Sequence, residues 1–194
     1  GALAYGIAAS IIPVPQSATR IATAALVHDA YKRREYEALE RAKQNCGDLP
    51  AANRQADRES ERFLRNIGFS PRIIALAQAT GDLGLKYMMQ GWTTLDQQIV
   101  FYADCCVSNY DIVGYKKRFD DPLIHFQPGG RYDFVDADLI RKYGKTHRET
   151  YDGIVLPLQT KLAVLTDFTG DPNKLAVSVM AELMANDPQP RQSR

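Results

Sequence analysis

Prolines and glycines divide this sequence into apolar segments of helical length, and no other feature constrains the possible fold as strongly. The apolar run of residues 3–12 must end at Pro13-Val14-Pro15, because proline disfavours the α conformation in the residue before it. Gly47 should end a charged segment in the left-handed conformation that closes many helices. Signals for β-strands are weak. The sequence therefore predicts an all-α fold.

Short polar residues that cap helices precede several of the apolar runs, often with proline in the first turn. The predicted starts are Ser17, Asp48, Ser70, Thr94 and Asp171. Gly81 and Gly84 should break the third of these helices, and Pro157 should kink or shorten a helix over residues 146–167. Residues 122–135 depart from the helical pattern and are predicted to form a hairpin or an aromatic loop, whose role stays open.

The balance of charges limits the classes of partner that the protein is expected to bind. Lys and Arg number 24 against 23 Asp and Glu, so the net charge of +1 predicts neither a general nucleic-acid surface nor a surface for anionic membranes. Three cysteines without regular spacing do not describe a disulfide framework, which favours a reducing compartment. The longest apolar stretches are too short to span a bilayer. We therefore expect a cytoplasmic protein without a membrane segment, and a homo-oligomer is left open.

Three ionisable residues directly follow apolar runs. If they are buried with these runs, their charges need a partner. His28-Asp29 ends one run, and Asp104 follows the run of residues 99–103. Buried charges are costly unless they are paired or bind a metal. One imidazole and two carboxylates suit one divalent cation (Mn, Fe, Ni, Zn or Mg), which can activate a water for hydrolysis of a phosphoester. The plainer alternative is a helix-capping histidine and an aspartate paired with an arginine.

Three stretches of this sequence resemble the HD-domain superfamily of metal-dependent phosphohydrolases, and two of them match its metal-ligating motifs. Residues 24–32 (AALVHDAYK) are similar to its AALLHDIGK signature. Residues 98–104 (QIVFYAD) are similar to the IVxxAD helix that supplies the last metal-ligating aspartate of that family. Residues 112–119 (IVGYKKRF) resemble a segment that often follows this helix.

The resemblance implies three regions in this chain. An HD-like helical bundle would occupy residues 1–125, a helical extension packed on the same domain would occupy residues 126–186, and residues 187–194 would be a polar tail. The family's first metal-ligating histidine lies well before the His-Asp pair, but no histidine precedes His28 here. Either a segment upstream of Gly1 is missing or the site is degenerate.

The resemblance also implies an activity. His28, Asp29 and Asp104 would be the catalytic metal ligands, and the substrate would be a small phosphorylated compound, expected to be a nucleotide. Lys32 and Arg118 would bind its phosphate. The histidines that hold a second metal in some members are absent, so the site should hold one metal ion at most. The alternative is a catalytically degenerate HD domain that serves as a ligand-binding or protein-interaction module.

Both predicted phosphate ligands have structural alternatives. Lys32 is otherwise a solvated lysine at the start of a helix. Arg118 otherwise pairs with Asp120 or Asp121 in a purely structural role.

The remaining candidates for chemistry are interpreted as structural. Cys105-Cys106 is not expected to be catalytic, because successive helical positions point in different directions and core thiols are inert. His125 and His147 lie far from the two motifs and share no ligand spacing, so both are predicted to be surface or loop histidines.

Overall fold

Helices make up most of residues 1–108, 111–120 and 133–186, the part of the chain that the computed structural model describes. The α-helices are α1 (Ala2–Ile11), α2 (Pro15–Val27), α3 (Lys32–Gln44), α4 (Leu49–Asn66), α5 (Pro71–Ala77), α6 (Asp82–Met89), α7 (Leu95–Cys105), α8 (Tyr115–Asp120), α9 (Asp133–Tyr143), α10 (His147–Leu165) and α11 (Leu175–Asn186). Two 3₁₀ turns cover Gln78–Thr80 and Pro172–Lys174. Strands β1 (Val107–Ser108) and β2 (Asp111–Ile112) form a short antiparallel pair. The all-α prediction is confirmed.

Side-chain caps fix the start of four helices at or near the predicted positions. The Asp48 carboxylate accepts from the amide of Ala51, and Ser70 Oγ accepts from Ile73. Thr94 at α7 and Thr146 at α10 each complete a capping box with the residue three positions later. These interactions satisfy amides that the first helical turn leaves without intrahelical partners.

Two predicted helix ends differ from the observed ones. Ser17 does not cap α2, because the helix already starts at Pro15 with Val14 in the extended conformation before it. Proline suits the first helical position, since its fixed φ is helical and its missing amide has no intrahelical partner there. Gly47 does not close α3. Cys46 adopts the left-handed conformation instead, with φ of 51°.

Two residues expected to disturb helices, Gly84 and Pro157, do not end them. Gly84 lies inside α6, and the chain is interrupted earlier, at the 3₁₀ turn that precedes Gly81. Pro157 lies inside α10, which continues through it. Proline removes the hydrogen bond to the carbonyl four residues before it. That carbonyl belongs to Gly153, which is exposed, so water can take the place of the lost donor.

The core is centred on α1, α2 and α7. Residues Ile99 to Ala103 of α7 are buried on every side, and they pack with Leu3, Ile7 and Ile21 in one cluster. Val155 of α10 belongs to the same cluster. This arrangement holds the carboxyl-terminal ends of α2 and α7 against a common core.

Among the described helices, none combines the length and apolar character that a membrane-spanning segment needs.

One close contact between the helices α1 and α11 depends on the absence of a side chain at Gly6. A Cβ atom added to Gly6 of α1 would lie 2.5 Å from Cγ1 of Val179 and 2.7 Å from Cδ1 of Leu183 on α11. Glycine therefore permits this helix crossing.

The sequence predicts a hairpin or an aromatic loop over residues 122–135. Residues 122–132 lie outside the part of the chain that the structure describes, and Asp133 begins α9.

Candidate metal centre

His28 follows the last residue of α2, and its ring orientation is fixed by the backbone. Nδ1 lies 2.9 Å from the carbonyl oxygen of Ala25. A carbonyl only accepts hydrogen bonds, so Nδ1 must carry a proton and donate it. Nε2 is thereby directed away from the helix. This is the arrangement by which outer partners fix the tautomer of metal-binding histidines.

Two carboxylates converge on Nε2 of His28. Asp29 Oδ2 lies 3.2 Å from it, and Asp104 Oδ1 lies 2.9 Å from it. One ligand atom from each residue lies within 4.8 Å of the other two. The His28 side chain is 14% exposed, against 58% for Asp29 and 32% for Asp104. The imidazole therefore forms the base of the group, and the carboxylates face solvent.

The charges of this group stabilise one another. Burial opposes protonation of His28, but hydrogen bonds to Asp104 and Asp29 and their negative charges outweigh it and raise the pKa of His28 to about 10. For Asp29, burial is likewise outweighed by the hydrogen bond from His28 and by the charges of His28, Lys32 and Arg118, and the pKa of Asp29 is lowered. Without a cation, the imidazole is thus positively charged at neutral pH and lies between two negative carboxylates.

The group opens into a cavity of about 690 Å³ that Lys32 and Arg118 also line. Lys32 Nζ lies 3.1 Å from Oε1 of Glu35, one turn further along α3. The buried Nε of Arg118 has no hydrogen-bond partner within the part of the chain that the structure describes. The side chains of its expected partners, Asp120 and Asp121, lie outside that part. All five residues singled out from the sequence therefore line one cavity.

The prediction for His147 is wrong. It is 4% exposed, lies in the first turn of α10 and lines the same cavity. Its amide donates to Oδ1 of Asp136 over 2.6 Å, and its ring centroid lies 4.4 Å from that of Tyr151. Burial lowers the pKa of His147 to about 4. The capping residues Thr146 and Glu149 are the sequence feature that indicates the position of His147. A helix that starts there places His147 and Tyr151 on one face.

The other two expectations concern thiols and His125. Both Cys105 and Cys106 are free and buried. Burial raises the pKa of each thiol, which disfavours the reactive thiolate. His125 lies outside the described residues.

Comparison with known proteins gives no assignment for this chain. No protein-family model, no curated protein and no solved structure matches it. The resemblance of its two motifs to HD domains stays a prediction, and the site is interpreted from its own geometry.

Proposed function

We propose that this chain is a metal-dependent phosphohydrolase of HD-domain type that acts on a small phosphorylated compound, expected to be a nucleotide. One observation carries the proposal. His28, Asp29 and Asp104 each have a ligand atom within 4.8 Å of the other two, in a cavity that is also lined by two cationic side chains, Lys32 and Arg118. A cluster that pairs metal-ligating groups with cations suits an anionic substrate bound next to a metal.

The donor set fits a single divalent cation (Mn, Fe, Ni, Zn or Mg). His28 would contribute Nε2, and Asp29 and Asp104 would each contribute a carboxylate oxygen. The hydrogen bond from Nδ1 to Ala25 supports this fit, because it leaves Nε2 as the outward-facing nitrogen. Three protein ligands leave positions for solvent and substrate, as in catalytic metal sites. A bound cation would supply Lewis-acid activation of water and neutralise charge on a phosphoryl group.

Lys32 and Arg118 would orient the phosphate. The charges of both cations contribute to lowering the pKa of Asp29. A buried donor without an acceptor is costly, and a phosphate oxygen is a strong acceptor for an arginine N–H. The Nε atom of Arg118 would thereby gain the partner that the described residues do not supply. The cavity has the volume of a typical site for a small molecule.

A second function is favoured by a different observation. Protonated His28 already neutralises part of the charge of Asp29 and Asp104, so the three side chains form a satisfied ion-pair group without any metal. This supports the alternative of a catalytically degenerate domain that binds a ligand or a partner protein. A metal would have to compete with that proton, because only the neutral imidazole is a ligand.

Phosphatase assays distinguish the two functions. Hydrolysis of nucleoside monophosphates and of a chromogenic phosphate monoester should depend on added Mn²⁺. It should be lost in Asp104→Ala and preserved in Glu182→Ala, which changes an exposed carboxylate on α11. For the phosphate ligand, Arg118→Met should raise KM, whereas Arg33→Met should not, because Arg33 is exposed on α3. Turnover that is independent of metal, or unaffected by Asp104→Ala, would contradict the proposal.

A further inference from the structure

One wall of the cavity is aromatic. It consists of Phe119 from α8 and His147 and Tyr151 from α10, and we call these three residues the aromatic wall. The ring centroid of Phe119 lies 4.8 Å from that of Tyr151 and 5.7 Å from that of His147. Distances of this size are typical of aromatic pairs that contact one another. The three rings therefore form one contiguous cluster at the cavity, in which Phe119 and His147 are buried and Tyr151 is half-buried.

Contacts with neighbouring residues hold the aromatic wall in place. Tyr115 packs against Phe119 with a centroid distance of 4.9 Å, and its hydroxyl donates to Oδ1 of Asp152 over 2.5 Å. This hydrogen bond ties α8 to α10. The amide of His147 donates to the carboxylate of Asp136, which fixes the start of α10 against α9. A wall fixed in this way requires little reorganisation when a ligand binds.

The aromatic wall adjoins the candidate metal centre. Tyr151 stacks on Phe101 of α7 with a centroid distance of 5.5 Å. Phe101 and Asp104 are three residues apart on one helix, so they lie on the same face about one turn, or about 5 Å, apart. A ligand whose phosphate is held at the metal centre therefore has the aromatic wall within reach of its other end.

Tyr31 and Tyr36 also line the cavity, and the side formed by α4 and the chain between α5 and α6 has a different chemistry. Most of the side chains contributed by α4 and by the chain between α5 and α6 are polar, among them Asp57, Arg58, Glu61, Gln78 and Thr80. Such groups can bind the hydroxyls of a sugar, whereas aromatic rings gain most from a planar ring stacked upon them. His147 adds a polar edge to this surface. At neutral pH its buried imidazole is uncharged, and it offers one donor and one acceptor.

We propose that the aromatic wall is the subsite for a planar heteroaromatic ring of the ligand, with Tyr151 as its stacking residue and His147 as a specificity-determining residue. The ligand class is then a phosphate ester that carries a nucleobase, and a sugar phosphate without a base is a poor ligand. This inference rests on the proposed function only in that Lys32 and Arg118 hold the phosphate. It does not require turnover.

Titration calorimetry of the full chain in EDTA tests the subsite without hydrolysis. The probes are AMP, CMP and ribose 5-phosphate, which share the phosphate and the sugar but differ in the base. Stacking of one base on aromatic side chains should strengthen binding about 5- to 150-fold. We expect AMP or CMP to bind more tightly than ribose 5-phosphate by a factor in this range.

Variants locate the effect. Tyr151→Leu keeps apolar volume but removes the ring, so nucleotide affinity should fall toward that of ribose 5-phosphate, whose own affinity should not change. Tyr143→Leu is the matched control, because Tyr143 is an exposed tyrosine of α9 outside the cavity. His147→Phe keeps a ring but removes its polar edge, and it should change the ratio of the AMP and CMP affinities. Circular dichroism of each variant checks that it has folded.

The possible results separate the two proposals. Equal binding of AMP, CMP and ribose 5-phosphate would overturn the aromatic subsite and leave the proposed phosphohydrolase intact. Selective nucleotide binding by a protein that has no metal-dependent turnover would support the subsite and contradict the proposed function. Binding of none of the three compounds would overturn the subsite and also the phosphate ligands assigned to the proposed function. If Tyr151→Leu does not fold, His147→Phe still tests the location of the subsite, and an unchanged ratio of AMP and CMP affinities would overturn it.

Discussion

Nε2 of His28 lies 2.9 Å from Oδ1 of Asp104, although 76 positions separate the two residues in the sequence. Packing of α2 on α7 brings them together, since each lies at the carboxyl-terminal end of its helix. The core residues of both helices therefore determine the geometry of the candidate metal centre as much as its polar residues do. Changes far from the cavity should act on the site only through this packing.

The crossing of α1 and α11 should tolerate no side chain at Gly6. We predict that Gly6→Ala destabilises the protein by about 1–3 kcal/mol, because its Cβ would overlap Val179 and Leu183. Gly153→Ala is the matched control. It adds the same methyl group to a helical position with no atom within 4 Å, and it should stabilise α10 by about 0.5–1 kcal/mol. Urea unfolding of both variants checks the prediction, and equal effects would contradict the close contact.

The hydrogen bond from Tyr115 to Asp152 should stabilise the attachment of α8. Tyr115→Phe removes only the hydroxyl, and it leaves Asp152 paired with Arg148 over 3.1 Å. We expect a loss of about 1–3 kcal/mol in the free energy of unfolding, because the lost bond is made to a charged carboxylate. Tyr5→Phe removes a hydroxyl from an exposed residue and should have no effect. A Tyr115→Phe variant as stable as the wild type would show that this hydrogen bond contributes nothing.

His147 should make the protein less stable in mild acid. Burial lowers its folded pKa to about 4, below an unfolded value of about 6.5. As pH falls, the unfolded chain therefore takes up this proton first, so stability is complete above about pH 6.5 and is lost between about pH 6.5 and 4. The expected loss between about pH 7 and pH 5 is about 2 kcal/mol from this residue. The Asp136 carboxylate near its amide does not remove the effect, since it accepts from the backbone and not from the ring.

Urea titrations at both pH values measure this loss. The variant His147→Phe has no titrating group at this position, so its stability should fall by less than that of the wild type. The same fall in both proteins would assign the acid sensitivity to other residues and contradict the buried, neutral state of His147.

The parts of the fold that sequence predicted well are those with local physical causes. Asp48, Ser70 and Thr94 cap helices through bonds to amides three residues away, and such bonds can be inferred from neighbouring residues alone. His28 and Asp104 were also identifiable, because each ionisable group follows an apolar run that only a core accommodates.

The parts that sequence did not predict depend on distant contacts or on competing local signals. His147 is buried because Phe119 and Tyr151 pack against it. The cap at Thr146 indicates that His147 shares a helix face with Tyr151, but not that distant residues cover this face. Ser17 was a reasonable cap, but Pro15 begins the helix earlier. Cys46 and not Gly47 adopts the left-handed conformation, although glycine adopts it at lower cost.

The most direct test of the central claim is the metal content of the purified protein, measured by elemental mass spectrometry. We predict near-stoichiometric Mn, Fe, Ni or Zn in the wild type and in Glu182→Ala, or such occupancy by Mn²⁺ after incubation with it, and no bound metal in Asp104→Ala. Absence of metal from the wild type even after incubation with excess Mn²⁺, or full occupancy in Asp104→Ala, would contradict a metal centre built on His28, Asp29 and Asp104.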